Sequence, residues 1–270
     1  MSGTQPDICF SYTRRSRAAN NAGDRTRKVA LSGAKIIKRL TAFLAIFIAA
    51  ALVFSWAVYP LIETAAFYYD VRGVDVSHHQ GAIDWERLKA DGVEFAYIKA
   101  SEGETFNDPR FSRNWFAAEQ AGILRGAFHF FSPCRTGKAQ AENFIRIVPP
   151  DPNALPAAID AEQMRPCRDR PALPNLVAEI AVFLDTVEKT FGKRPIIYTT
   201  REFHDAHLAG KFDKERFWIR SLVIFPRIRK NSWIFWQYHN RGQRSGIDGP
   251  VDLNAYRGSL AELKALAAPR

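Results

Sequence analysis

Hydrophobic and polar positions divide the chain into three stretches of different character. Residues 1–34 are rich in Arg, Ser, Thr, Asn and Gly with little apolar content, a composition that predicts disorder because too little surface can be buried to offset chain entropy. Residues 40–62 then form an apolar run of 23 residues that ends just before Glu63. About 20 apolar residues suffice to cross a bilayer, and the run has no polar face, which disfavours a helix packed on a soluble core. From residue 71 onward, short β-branched or aromatic runs alternate with amphipathic stretches, the pattern of βα units around a parallel sheet.

Within that third stretch the expected strands are 73–76, 95–99, 126–131, 157–160, 195–199, 217–219, 233–237 and 251–253. Helical periodicity falls on 85–90, 111–121, 138–147 and 175–191, with Gly92, Gly122 and Gly192 placed as C-terminal caps. The helical signal weakens beyond residue 200, so the last strands are expected to be joined by loops or hairpins. The fold class is therefore α/β: a modified β/α barrel of eight strands with a reduced number of helices, preceded by one transmembrane helix. The expected division is a basic tail 1–39, a span 40–62, a linker 63–70 and a folded domain 71–270.

Charge sharpens this picture. The formal net charge of +10 looks at first like a nucleic-acid footprint. However, residues 1–39 hold nine Lys and Arg against Asp7 and Asp24, leaving 29 basic and 26 acidic residues for the remainder. A polybasic segment beside a span sets orientation or touches anionic lipid, and no nucleic-acid partner is expected. Lys35, Lys38 and Arg39 place the N-terminus in the cytoplasm, with Trp56 and Tyr59 suited to the far interface. The expected location is the inner membrane, single-pass, with the rest of the chain in the periplasm or outside the cell. A cleaved signal peptide is the alternative, although a 39-residue leader is long for an n-region and the apolar run exceeds a usual h-region. Cys9 would lie in the reducing compartment, whereas Cys134 and Cys167 would share an oxidising one and pair as a disulfide; two separate buried thiols are the alternative. No cysteine or histidine spacing matches a metal site, and no cofactor is expected.

In α/β barrels chemistry gathers at the C-terminal strand ends. Here those ends carry Asp75-Val-Ser77-His78-His79-Gln80, Lys99-Ala-Ser-Glu102, His129-Phe130-Phe131, Asp160-Ala-Glu162, Tyr198, Trp236-Gln237-Tyr238 and Asp252-Leu-Asn254. Residues two apart on a strand share a face at about 6.6 Å, so Asp160 and Glu162 enter one site. Two carboxylates that close in a partly dry site do not ionise independently: one keeps its proton and acts as general acid while the other stays negative beside a developing oxocarbenium ion. Glycoside hydrolysis uses this division of labour. Taken alone, a D-x-E is more simply a loop cap beside a solvated acid. Its neighbours Tyr198, Trp236, Gln237, Tyr238 and Phe130 change that balance, since flat rings meet sugar C–H faces while amide and phenol tips bond hydroxyls. Each aromatic by itself is more often a core residue than a sugar platform.

The stretches GVDVSHHQG from Gly73, YIKASEG from Tyr97 with NDPRF following, GAFHFF from Gly126, AAIDAE from Ala157, PIIYT from Pro195, WQY from Trp236 and GPVDLN from Gly249 resemble, in order, the motif series of glycoside hydrolase family 25, the Chalaropsis-type lysozymes. The resemblance covers roughly residues 71–260. It implies a modified β/α barrel that cleaves the β-1,4 bond between N-acetylmuramic acid and N-acetylglucosamine of peptidoglycan. Carried over by motif, Glu162 is general acid and later base and Asp160 is its companion. Asp75, Asp252, Lys99, His129, Phe130, Tyr198, Trp236, Gln237 and Tyr238 would face the glycan strand. The chain is expected to act as a monomer. It departs from the family at the sixth strand, where a W-x-A-x-Y type segment is replaced by Trp218-Ile-Arg220, setting a cation where a small residue is usual. Two other readings stay open: a glycan-binding envelope protein without turnover, and a hydrolase of another N-acetylated glycan such as chitin.

Overall fold

The computed structural model describes residues 35–58, 68–162, 167, 173–222, 225–228 and 233–269. The basic tail up to residue 34, Tyr59 and most of the expected linker lie outside the described residues. Two compact units are present, Met1–Tyr59 and Pro60–Arg270. In the first, helix α1 (Lys35–Trp56) is exposed throughout and is long and apolar enough to cross a membrane. Its described part includes five residues ahead of the expected apolar run, where Lys35, Lys38 and Arg39 are good helix formers. Wider helical turns continue over Phe54–Val58.

The second unit is a closed barrel. Its strands are β1 (Arg72–Val76), β2 (Val93–Glu102), β3 (Phe106–Asn107), β4 (Leu124–Phe130), β5 (Ala158–Asp160), β6 (Ile196–Thr200), β7 (Phe217–Arg220), β8 (Trp233–Gly242) and β9 (Val251–Tyr256). The order around the sheet is β1-β9-β8-β7-β6-β5-β4-β2, closed by the β1–β2 pairing, with the two-residue β3 hanging on β2. All eight expected strands form. The sheet is not parallel throughout, however: β9 runs antiparallel to both β8 and β1. Only residues 243–250 separate β8 from β9, too few for a parallel crossover, which takes a dozen or more.

Side chains of alternate residues build two cores. Phe95, Tyr97, Phe128, Ala158, Ile196, Tyr198, Trp218 and Phe235 fill the barrel interior, where Tyr97 stacks on Trp218 with ring centroids 4.8 Å apart. So much aromatic volume fits because Gly73 and Gly126 carry no side chain; a Cβ there would collide with the Phe95 or Tyr97 ring. The odd-numbered partners Ile159, Ile197 and Ile219, with Val74, Val76, Ala96 and Ile98, face outward onto the helices.

The expected helices form as α2 (Trp85–Ala90), α3 (Phe111–Gln120), α4 (Gly137–Ile147) and α5 (Leu176–Phe191). Asp84, Thr136 and Asn175 accept from backbone N–H groups at the starts of α2, α4 and α5, and left-handed Gly192 ends α5. Between β6 and β7 lies the one-turn α6 (Arg201–Phe203), continued by wider turns over His204–Leu208. A last helix, α7 (Leu260–Ala267), was not expected from the sequence. Its Leu263 and Ala267 are buried in the barrel-interior cluster, so it closes the floor opposite the mouth. Lys193 ties this end together by donating to the carbonyls of Pro152, Ala154 and Ala267 at 2.7–2.8 Å.

Candidate active site

A cavity of about 330 Å³ opens at the C-terminal ends of the parallel strands, lined among others by Asp75, Lys99, Phe130, Asp160, Glu162 and Tyr198. Asp252 reaches the same mouth by a different route. It lies at the start of β9, and because that strand is antiparallel its start, not its end, faces the cavity; register sets Asp252 opposite Asp75.

Asp160 is the last residue of β5, and Glu162 follows one buried alanine later. Both line the cavity. Their surroundings differ. Glu162 accepts from the Arg220 guanidinium at 3.0 Å, and both side chains remain partly exposed. Asp160 has a buried Oδ1 without a hydrogen-bond partner among the described residues. Burial, followed by the negative charges of Glu162 and Asp75, pushes its carboxyl well above the usual range, against smaller opposing pulls from Lys99 and Arg220. Burial thus gives a tightly held proton to Asp160, whereas the motif reading gives the proton-donor part to Glu162.

Beneath the pair runs a hydrogen-bonded chain. Tyr198 donates to Gln237 Oε1 at 2.9 Å, and Gln237 Nε2 donates to Asp75 Oδ2 at 2.9 Å. From the other side, Trp218 Nε1 donates to Asn254 Oδ1 and Asn254 Nδ2 to Asp75 Oδ2, both at 2.8 Å. Asp75 and Asp252 also hydrogen-bond to each other. Two acids in contact share a proton: burial first, then the Asp75 charge, lifts Asp252 to about 9, and burial raises Asp75 as well. Burial likewise lifts the Tyr198 phenol far beyond its ordinary value, aided by the charges of Asp160 and Glu162. Lys99 donates to Glu102 at 2.6 Å and sits 5.0 Å from the Phe130 ring centroid.

Strand alternation moves three expected glycan contacts out of the cavity. In β8, Gln237 points into the barrel, which forces Trp236 and Tyr238 outward; both are buried in the outer core, and Trp236 Nε1 donates to the Ser221 carbonyl. In β4, Phe128 and Phe130 point inward and His129 outward. His129 is wholly buried, bonded to Ser101 Oγ and Gln140 Oε1 and stacked on Phe183. Burial holds its imidazole down at about 3. Their place is taken by Phe128, Trp218, Asn240 and Arg220, with Ser77, His79 and Gln80 along one rim. The signal for Trp218 and Arg220 was present in the register: Asp160, Tyr198 and Trp218 are successive cross-strand partners, as are Thr200, Arg220 and Gln237.

Cys134 and Cys167, which follow β4 and β5, are joined by a disulfide with Cα atoms 5.7 Å apart. Among the described residues no group of three or more His, Cys, Asp or Glu is placed to hold a metal ion.

Residues 74–247 match the family described as glycosyl hydrolases family 25. The Escherichia coli K12 protein YegX is 40% identical over 205 residues, covering 73% of each chain. Lysozyme M1 of Streptomyces globisporus is 36% identical over 211 residues, covering 73% of this chain and 71% of its own. Among solved structures, a family 25 glycosyl hydrolase from Bacillus anthracis superposes with a TM-score of 0.67 at 39% identity, covering 73% of this chain and 93% of that one.

Proposed function

The chain belongs to the glycosyl hydrolases of family 25, and on that footing we propose that it is a muramidase. It hydrolyses the β-1,4 bond between N-acetylmuramic acid and N-acetylglucosamine in peptidoglycan, with Glu162 as proton donor and Asp160 as stabilising carboxylate. The observation that carries the assignment of roles is the unpartnered Asp160 Oδ1 in the cavity. A buried carboxylate oxygen left without a donor is costly; an acetamido N–H of a bound N-acetyl sugar supplies that donor and favours the ionised form of Asp160, so that on sugar binding the pair's proton passes to Glu162.

Held by Asp160, the acetamido carbonyl oxygen attacks the anomeric carbon as Glu162 protonates the departing glycosidic oxygen. The C–O bond breaks, and a cyclic oxazolinium forms on the substrate itself. Water, deprotonated by Glu162, then reopens that ring. This is the substrate-assisted route, distinct from direct attack by an enzyme carboxylate. For Glu162 to donate, the Arg220 ion pair must loosen when the sugar enters. Two displacements at one carbon retain its configuration, so inversion in the NMR spectrum of fresh product would eliminate the route. Mass analysis of the products tests the bond: new reducing ends should be N-acetylmuramic acid. Faster release from chitin than from peptidoglycan would instead favour a chitinase.

The α1 helix, with basic residues at its start and no buried face, supports a retained anchor that places the barrel on the far side of the inner membrane, where we propose that the chain acts as a monomer. Resistance of the intact chain to carbonate extraction tests the anchor; a processed N-terminus near residue 51 would mean a cleaved signal instead.

A further inference from the structure

Glu162 and Arg220 line a second cavity as well as the first. It measures about 870 Å³, lies on the β6–β7 side, and is also bordered by Thr200, Arg201, Glu202, His207 and Ser221. Nothing in the proposed reaction uses it. Its cations are reachable: Arg220 has a third of its side chain exposed and Arg201 about half, the latter only loosely facing Glu202 at 3.9 Å. His207 rests on the Phe203 ring with centroids 4.6 Å apart. A guanidinium carries five N–H donors in a fork that matches a carboxylate edge-on. The contact at 3.0 Å from Arg220 Nη1 to Glu162 Oε2 occupies one of them.

Resting on the muramidase reading, we propose that this second cavity is a carboxylate-binding subsite. Arg220, assisted by Arg201, holds an acidic substituent of the muramyl residue while the sugar ring occupies the first cavity. Muramic acid differs from glucosamine by a lactyl ether, which ends either in a free carboxylate or in a peptide stem bearing carboxylates of its own. A substituent projecting past Glu162 enters the second cavity, because the two cavities meet at Glu162 and Arg220. The incoming carboxylate offers the guanidinium an alternative to Glu162, so substrate binding and release of the proton donor become one event. A neutral glycan provides no such exchange.

The test compares the full chain in detergent micelles with its R220Q variant on three strand preparations of matched length. One carries peptide stems, one is stripped by an amidase to expose lactyl carboxylates, and one is stripped and then methyl-esterified. The unmodified chain is expected to show kcat/KM about tenfold higher on charged than on esterified strands, the size of one good charge-assisted contact. In R220Q that ratio should fall to about twofold or less; the ratio is the readout because losing the Glu162 ion pair alters the absolute rate on every strand. Preference for only the peptide-bearing strands identifies stem carboxylates as the ligand; preference for only the stripped strands identifies the lactyl group. Equal rates on all three strands with the unmodified chain, or an equal loss on all three in R220Q, would overturn the subsite and leave the muramidase reading intact. If the unmodified chain cleaves none of them, that reading fails and the subsite with it. Should R220Q fail to fold, salt titration of the unmodified chain decides: the preference should shrink as salt rises, and a salt-independent ratio rejects the proposal.

Discussion

Breaking the Cys134–Cys167 bridge is expected to destabilise the barrel by an amount that follows from its place in the chain. The two cysteines are 33 residues apart in sequence, and the loop they close contains all of α4 and β5. Loop-closure entropy for that length gives about 3–4 kcal/mol at 25 °C. For a domain of about 200 residues, each kcal/mol moves the melting temperature by about 2–4 °C, so a drop of about 6–16 °C is expected. The assay is calorimetry of Pro60–Arg270 in its oxidised form and after reduction, with complete reduction checked by thiol titration and the C134S/C167S double variant run beside it. A fully reduced sample that melts within about 2 °C of the oxidised one would refute the reasoning. Because the bridge joins the segments that follow β4 and β5, close to Glu162, reduced protein should also lose activity at temperatures where it is still folded.

Asp252 gives a prediction in pH. Its carboxyl binds a proton more tightly when folded, with a value raised from 3.8 to about 9, so the folded state is favoured below about pH 4 and progressively disfavoured as pH rises toward 9. Asp252→Asn removes that ionisation and is expected to raise the melting temperature at pH 8 but not at pH 4; an equal shift at both would contradict the shared proton. Trp236→Ala should cost about 3–5 kcal/mol in urea unfolding, while the KM of the folded fraction stays unchanged. An intact stability with a raised KM would instead return Trp236 to the glycan groove. Phe130→Ala should do the reverse, raising KM with little loss of stability.

Much of this architecture was legible because period-two alternation and turn residues are local signals. The eight strands and helices α2 to α5 needed no tertiary information, and neither did the adjacency of Asp160 and Glu162. What escaped depends on which way a strand faces or runs. Trp236, Tyr238 and His129 lie in the same motif stretches as Gln237 and Phe130. Yet a shift of one residue along a strand exchanges the cavity for the outer core, and only the register shows which residues turn inward. The sequence reads Asp252 as a strand end; it reaches the mouth as the start of an antiparallel strand, and a start and an end look alike in so short a run. Helix α7 was missed because its burial depends on the open barrel floor it covers, which no local pattern reports. Arg220 stood out in the sequence only as a cation replacing a small residue; its pairing with Glu162 required the strand order.

The central claim is tested most directly by comparing the unmodified chain with Glu162→Gln on purified peptidoglycan and identifying the products by mass. The unmodified chain should release muropeptides with N-acetylmuramic acid at the reducing end. The variant should fold normally and lose about 10²–10⁴-fold in kcat, the usual contribution of a positioned general acid. Undiminished release by the variant would contradict the account.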